Sequence, residues 1–433
     1  MTYFAVVDCD NCYVSCERVF RPDLKDKPVV VLSNNDGCVV ARSNEAKKMG
    51  IKAGTPYFKL AQQFPGQDIA VFSSNYELYG DLTGRVMTIL GQESPEYFRY
   101  SIDEAFVILK GMETVDLKAW GENLYKTIRQ WVGIPVSIGI APTKTLAKMA
   151  SHFAKHHAGY RHCCMIDTDE KRVKALKLFP IDEVWGIGRR FTAKLKGLGI
   201  YTAYDFASRS PEWINATFNK VVVTRTWKEL NGIDIVPNEE AAKKKSICVS
   251  RSFPGMISDP GLLKTYVSNY AARCAEKLRR QNTVASVVGV FLNTNFFRDD
   301  LDQYSNFGEV TLLTPSNSSI VIVKKALECL DKIYKPGYLY KKAGVIVISI
   351  QGSDSIQTNL LDFDPERYEK MKNLDKVVDR LNKEEGSETV IIGTQQFPRK
   401  AGSEKATQFA DAIKREFKSP NYTTRWSDII KLR

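Results

Sequence analysis

The sequence predicts an α/β protein of several domains, and three observations carry that prediction. Residues 3–7 form a β-branched and aromatic run that ends in a carboxylate, Asp8. Two further strand-like runs, 99–102 and 105–109, are separated by Asp103-Glu104, the pattern of a hairpin with two acids at its tip. Far downstream, strand-like runs at 286–293, 309–313 and 345–350 alternate with helical stretches at 262–280 and 320–334, which reads as a second α/β unit.

The first run reads as a strand because β-branched and aromatic side chains fit a pleated, buried surface. A helix fits residues 13–20. Residues 28–32 and 38–42 read as short strands around the turn-rich Ser33-Asn34-Asn35-Asp36-Gly37, and a helix at 45–49 stops at Gly50. Together they make a small α+β insert reaching to about residue 72. A helix at 117–132, a strand at 135–140 and a helix at 143–153 then complete a mixed-sheet unit. Residues 185–206 are helical and glycine-punctuated, and 236–245 is a polar, lysine-rich linker. Beyond Gln351 the chain turns polar and interrupted, with a helix expected near 404–417.

A length of 433 residues suggests three or four folded units, and 43% hydrophobic with 26% charged residues suits a globular protein. Neither a secretion signal nor the roughly 18-residue apolar run of a membrane span is present, which predicts a cytoplasmic location. Nine cysteines, an odd and irregularly spaced set, are expected to stay reduced. The net charge of +12 points to a polyanionic partner, and its distribution sharpens the point. Residues 241–350 hold 16 Lys and Arg against 8 Asp and Glu, so this stretch alone carries +8.

An acidic pair on a turn is ordinary, since turns favour Asp. The third acid changes the reading, because a mixed sheet can bring the strand ending in Asp8 beside the Asp103-Glu104 hairpin. Three carboxylates converging without Lys or Arg between them repel one another, and divalent cations relieve that repulsion. Gly186-Ile187-Gly188, with Leu198-Gly199-Ile200 behind it, has the spacing of a helix-hairpin-helix, whose glycines expose backbone N–H groups to a phosphate. All four histidines lie between His152 and His162, and Cys163 and Cys164 follow directly. His152 and His156 have the spacing of two helical zinc ligands, but no Cys-x-x-Cys pair accompanies them, and Cys163-Cys164-Met165-Ile166 also reads as a buried strand.

Several ordered motifs resemble those of one family. Asp8-Cys9-Asp10-Asn11-Cys12-Tyr13, Ser101-Ile102-Asp103-Glu104-Ala105 and Val136-Ser137-Ile138-Gly139-Ile140-Ala141 are similar to the palm motifs of the Y-family translesion DNA polymerases. The stretches 36–42, 249–253 and 419–426 resemble its UmuC subfamily, the catalytic subunits of DNA polymerase V. The resemblance implies a right hand: a ferredoxin-like palm over residues 1–19 and 72–167, fingers over 20–71, and a thumb with the helix-hairpin-helix over 168–235. A linker at 236–245, an α/β little finger over 246–350 and a tail over 351–433 follow.

The same resemblance implies template-directed addition of deoxynucleotides opposite damaged bases, without proofreading. Asp8, Asp103 and Glu104 would be catalytic and, with the carbonyl of Cys9, would hold two Mg²⁺ ions. Tyr13 falls at the steric gate against a 2′-hydroxyl. Asn44, Lys47 and Lys155 fall where the triphosphate is held, with Cys9 and Cys12 beside the nucleotide, and Cys38 and Val40 lie over the nascent base pair. Cys12 departs from the Phe usual in relatives, and Asn44 from the Tyr common outside this subgroup. Gly186, Gly188, Arg251, Arg273, Lys277, Arg279 and Arg280 are candidate DNA contacts. Gln357, Leu360 and Leu361 resemble a peptide that docks on the sliding clamp, with Phe363 as an added apolar contact. Primer-template DNA, deoxynucleoside triphosphates, a cleaved UmuD-like dimer and a RecA filament are the implied partners, and the rival reading is a catalytically silent DNA-binding accessory protein.

Overall fold

A computed structural model describes residues 2–238, 245–354, 356–358, 363–386, 389–397 and 414–430. The chain divides into two compact units, Met1–Ala241 together with Ile413–Arg433, and Ala242–Ala412. In chain order the first unit contains β1 (Phe4–Cys9), α1 (Cys12–Phe20), β2 (Val29–Leu32), β3 (Val39–Arg42), α2 (Asn44–Lys48), α3 (Tyr57–Gln63), β4 (Ala70–Ser73), α4 (Tyr76–Glu93), β5 (Glu96–Arg99), β6 (Glu104–Ile108), α5 (Leu117–Trp131), β7 (Val136–Ala141), α6 (Lys144–His156) and β8 (Cys163–Met165). Five helices close it: α7 (Asp169–Leu178), α8 (Arg189–Gly197), α9 (Ala203–Ala207), α10 (Pro211–Phe218) and α11 (Val221–Leu230).

Strand β1 lies at the centre of a five-stranded sheet of order β5-β6-β1-β7-β8 and runs antiparallel to both neighbours. A central strand is covered on both faces, which is why its sequence is an unbroken apolar run. The two-residue side-chain period sends Phe4 and Val6 to the face shared with Phe106, Ile108 and the α6 residues Leu146 and Ala147. Ala5, Val7 and Cys9 go to the other face, against Val14 of α1, Leu82 of α4 and Leu124 of α5. Helix α6 comes unusually close to β7 because residue 139 is glycine: a Cβ there would lie 2.0 Å from the backbone nitrogen of Ser151 and 2.1 Å from the carbonyl oxygen of Ala147. Thr143 starts α6 by accepting a hydrogen bond from the Leu146 N–H.

A separate three-stranded sheet of order β3-β2-β4 buries Val30, Leu32, Val39, Ala46, Ile51 and Leu60 in a small core on one face, while Val29, Val31 and Phe72 join the main core on the other. In the helical part, the stretch expected to be helical over 185–206 is instead α8 and α9, parted by a turn in which Gly199 takes φ +75°, the left-handed conformation glycine tolerates best.

The second unit holds β9 (Ser246–Ile257), α12 (Pro260–Arg280), β10 (Thr283–Thr294), β11 (Ser305–Ser316), α13 (Ser319–Ile333), β12 (Tyr340–Gly352) and α14 (Pro365–Glu384). Its sheet, order β11-β10-β12-β9, is wholly antiparallel, and α12 and α13 pack side by side against it over Tyr270, Cys274, Val288, Val345 and Cys329.

Two long helices, α4 and α14, are absent from the sequence expectation. Glycines at 80, 84 and 91 weaken the local helix propensity of α4, and burial of Leu78, Tyr79, Leu82, Val86 and Leu90 along one face overrides them. Helix α14 is polar almost throughout and buries only Asp375, so it shows no apolar stripe to read. The helix expected near 404–417 falls over 404–413 outside the described residues, and 414–417 are not helical. Residues 239–244 of the expected linker also lie outside them. All nine cysteines are free thiols, and no described helix is long and apolar enough to cross a membrane.

Candidate active site

Register places the acids. Asp8, the fifth residue of β1, pairs directly across from Glu104 on β6 and from Ser137 on β7. The alternation that puts Phe4 and Val6 toward α6 carries Asp8 to the same face, and Glu104 shares a face with Phe106 and Ile108. Asp103 sits in the turn before β6, where its carbonyl accepts from the Cys9 N–H at 2.9 Å and its carboxylate accepts from the Ser101 hydroxyl. The three acids expected from the sequence are thus brought to one end of two adjacent central strands.

The expected absence of cations among them is corrected by the structure. Helix α6 aims two lysines at the carboxylates: Lys155 Nζ lies 2.8 Å from Asp8 and 3.3 Å from Asp10, and Lys148 Nζ lies 2.7 Å from Glu104. They are seven residues apart, two turns on one helix face. The Lys148 ammonium also lies over the rings of Tyr100, Trp185 and Phe106 at 4.4, 5.0 and 5.5 Å, an aromatic seat that offsets its lost hydration. Burial raises the Glu104 pKa, and Lys148 works against that rise. Burial likewise raises that of Asp10, whose carboxylate accepts from Ser137 Oγ at 2.9 and 3.0 Å. For Lys155, burial opposes the charge, but Asp8 and Asp10 outweigh it and hold the pKa well above the lysine range. No three His, Cys, Asp or Glu side chains among the described residues gather around one point as a metal-holding group. The same holds for the histidine stretch, where His162 stacks on Tyr125 and His152 on His156.

Beside the acids opens a cleft of about 470 Å³ lined by Asp8, Cys9, Cys12, Tyr13, Val40, Arg42, Lys47, Tyr76, Asp103 and Lys155. Lys47 donates to Asn11 Oδ1 at 2.6 Å, and Asn11 in turn donates to Asn44 Oδ1 at 3.1 Å. Burial, then Lys155 and Arg42, lowers the Lys47 pKa, so three cations crowd one wall and would gain from a polyanion between them. Tyr13 lies face to face with Tyr79, centroids 4.7 Å apart at 14°, and edge-on to Tyr76 at 5.7 Å. Val40 is exposed, while Cys38 is half-buried with its sulfur 3.5 Å from Ser33 Oγ. Lys148, Asp10 and the two stacking tyrosines are not among the expected site residues. For Lys148 the signal is its seven-residue spacing from Lys155, which the expected helix at 143–153 stops short of and α6, reaching His156, brings onto one face.

The candidate DNA contacts divide. Gly186 and Gly188 are exposed at the N-terminus of α8, beside exposed Arg189 and Arg190, and a Cβ at Gly188 would meet nothing within 4 Å. Lys277 and Arg280 are exposed on α12, although Arg280 pairs with Glu276; Arg251 and Arg273 are half-buried, on edge strand β9 and on α12. Arg279 is corrected. Its guanidinium forms a bidentate pair with Asp379 at 2.6 and 2.7 Å, lies 3.5 Å from Asp375 and donates to the Asn317 carbonyl at 2.7 Å, with only 12% of its side chain exposed. It fastens α14 to its own unit, and with four of its five N–H donors engaged and its charge matched by two carboxylates it is poorly placed to hold a phosphate. Gln357 is exposed, and Leu360 and Leu361 lie outside the described residues.

A Y-family DNA polymerase chimera of Dbh superposes with a TM-score of 0.65 at 22% identity, covering 81% of this chain and 99% of that one. An insertion ternary complex of Dbh DNA polymerase does so at 0.54 over the same shares. The fold is therefore that of the Y-family DNA polymerases. Residues 7–152 match the model of the impB/mucB/samB family, 244–360 match its C-terminal domain, and 372–432 match a domain of unknown function. The chain is 42% identical to protein UmuC of Salmonella typhimurium over 99% of its own length and 100% of that protein, and 39% identical to protein ImpB of Salmonella typhimurium over 98% of each. It is 28% identical over 67% of its length to DNA polymerase IV of Corynebacterium diphtheriae. The chain belongs to the impB/mucB/samB family, the UmuC branch of the Y-family polymerases.

Proposed function

We propose that this translesion DNA polymerase joins deoxynucleoside monophosphates to a DNA primer with Asp8, Asp103 and Glu104 as its catalytic carboxylates. The observation that carries the reading is the register: Asp8 and Glu104 face each other on neighbouring strands, with Asp103 sewn to β1 beside them. Three hard carboxylate oxygens suit a hard dication, so these residues, with the Cys9 carbonyl, are the ones that would hold Mg²⁺. When bound, the metal supplies charge neutralisation for the attacking and leaving oxygens. The chain's own part is positioning. Lys47, Lys155 and Arg42 offer donors along one wall of the cleft to the triphosphate, Asn44 holds Asn11 of that wall and is proposed to join them, and Tyr13 stands where a ring can exclude a 2′-hydroxyl. Open, modest side chains at Cys38 and Val40 leave room for a damaged base.

DNA would be held by backbone N–H groups at Gly186 and Gly188 and by Arg251, Arg273, Lys277 and Arg280 through phosphates. Gln357, Leu360 and Leu361 are proposed to tether the chain to the sliding clamp, and the UmuC relationship supports a UmuD-like dimer and a RecA filament as further partners. The reading places the chain in the cytoplasm with the nucleoid.

Primer extension on undamaged and abasic templates tests it. Asp103→Ala with Glu104→Ala should abolish extension and leave primer-template affinity within about twofold, because affinity resides in phosphate contacts elsewhere. Extension by the double variant would refute the assignment, and no extension by the parent on either template would favour an accessory role.

A further inference from the structure

The tail folds back onto the first unit and is threaded into it at named side chains. The Lys414 N–H donates to Asn35 Oδ1 at 3.1 Å, and the Glu416 N–H to buried Asp36 at 2.9 Å. Phe417 exchanges hydrogen bonds with Ser73 at the end of β4, its N–H donating to the Ser73 hydroxyl at 3.0 Å and its carbonyl accepting from the Ser73 N–H at 3.1 Å. Its ring packs edge-on against Tyr57. Five residues on, Tyr422 stacks on Phe20 of α1 at 4.6 Å and 17°. Fewer than ten residues thus tie the three-stranded sheet to α1 and α4.

The centre of this seam is buried and polar. Asn75, the N-cap of α4 and fully buried, donates from Nδ2 to the Ser419 carbonyl and hydroxyl, each at 3.1 Å, and to the Pro420 carbonyl at 3.3 Å. The Ser419 hydroxyl donates to Glu17 Oε1 at 3.0 Å, and the same oxygen accepts from the Tyr79 hydroxyl at 2.7 Å. Glu17 is fully buried. Tyr79 is the ring on which Tyr13 lies flat. Glu17 Oε2 is buried without a hydrogen-bond partner among the described residues, so the chain hangs on Oε1 alone; buried polar links of this kind fix orientation more than they add stability, since each group loses heavily if its partner leaves.

We infer that Ser419, Asn75 and Glu17 are positioning residues for sugar discrimination, through which the C-terminal segment holds Tyr79, and with it the Tyr13 gate, in place. This rests on Tyr13 being the gate. The segment is then a working part of the nucleotide site, although it lies some 400 residues from Tyr13 in sequence.

Ser419→Ala and Tyr79→Phe each delete one hydroxyl and leave the apolar packing intact, so both should fold. The readout is the ratio of kcat/KM for deoxy- over ribonucleotide, measured with the full chain beside Tyr13→Ala and the double variant Ser419→Ala/Tyr13→Ala. Tyr13→Ala should give the largest loss. The two hydroxyl variants should each lower the ratio roughly threefold to tenfold, as one buried hydrogen bond commands, mainly through a lower KM for the ribonucleotide. In the double variant, Ser419→Ala should add nothing, because its effect passes through Tyr13. Amide exchange at Leu78 and Tyr79, the first turn of α4, should quicken in Ser419→Ala. Parent-like ratios in both hydroxyl variants while Tyr13→Ala loses discrimination would overturn this inference alone. An unchanged ratio in Tyr13→Ala would overturn the gate and the inference together.

Discussion

Gly139→Ala asks for one methyl group where β7 and α6 leave no room. The new Cβ would stand 2.0 Å from Ser151 N and 2.1 Å from the Ala147 carbonyl oxygen, against an ordinary contact beginning at 3.4 Å, so the helix must retreat by about 1.4 Å. Both obstacles are backbone, with no rotamer to turn aside. Overpacking costs about 1–3 kcal/mol, and a rigid obstacle puts this case at the top, about 3 kcal/mol. For a unit of this size that lowers Tm by about 6–12 °C. The consequence reaches chemistry because the displaced turn lies between Lys148 and Lys155, whose contacts with Glu104 at 2.7 Å and Asp8 at 2.8 Å do not survive such a shift. With Lys155 proposed to hold the triphosphate, misplacing that one charge-assisted contact corresponds to a KM increase of roughly tenfold. Calorimetry and steady-state primer extension on the same preparation check both numbers. A parent-like Tm together with a parent-like KM would show that α6 does not depend on Gly139 for its seat.

Three further outcomes are expected. Glu17 is buried between Tyr79 of α4, Ser419 of the tail and, at longer range, Arg21, and burial pushes its pKa up to about 7 from 4.5. The folded state then binds the proton more tightly than the unfolded one, so this group's contribution is fully present below about pH 4.5 and is lost as pH rises through about 7, a span of about 3 kcal/mol. Urea titrations between those limits should show a slope that Glu17→Gln flattens, and an identical slope would remove the carboxyl from the account. Tyr13→Ala should admit ribonucleotides, read by assaying each nucleotide type separately, and an unchanged preference would place the gate elsewhere. Gln357→Ala with Leu360→Ala and Leu361→Ala should abolish stimulation by the clamp and leave clamp-independent extension unchanged; equal stimulation of variant and parent would make this segment a linker.

Much of this was legible in the residues themselves. The apolar run ending in Asp8, the acid pair on its hairpin and the strand at 136–141 each announce their element through local pattern, and their order matches one family's motifs. Period-2 alternation even implies that Asp8 shares a face with Phe4 and Val6, once β1 is known to be central. Two strands of the small sheet were readable for the same reason, as turn residues separate them, while its third strand, β4, was not.

Other features needed the tertiary structure, because they depend on partners distant in the chain. Helix α4 is carried by burial against β1 in spite of its glycines, and polar α14 by Arg279, which looked like a DNA contact until Asp375 and Asp379 claimed it. Lys155 is expected at the triphosphate and Lys148 is not among the expected residues, and only the packing of α6 on the central sheet shows both ammonium groups against the carboxylates of Asp8 and Glu104. The tail shows no periodicity at all. It is held at the active-site unit by scattered hydrogen bonds to Asn75, Ser73, Asp36 and Glu17, and a contact between one polar atom and another more than 300 residues away leaves no pattern in either stretch of sequence.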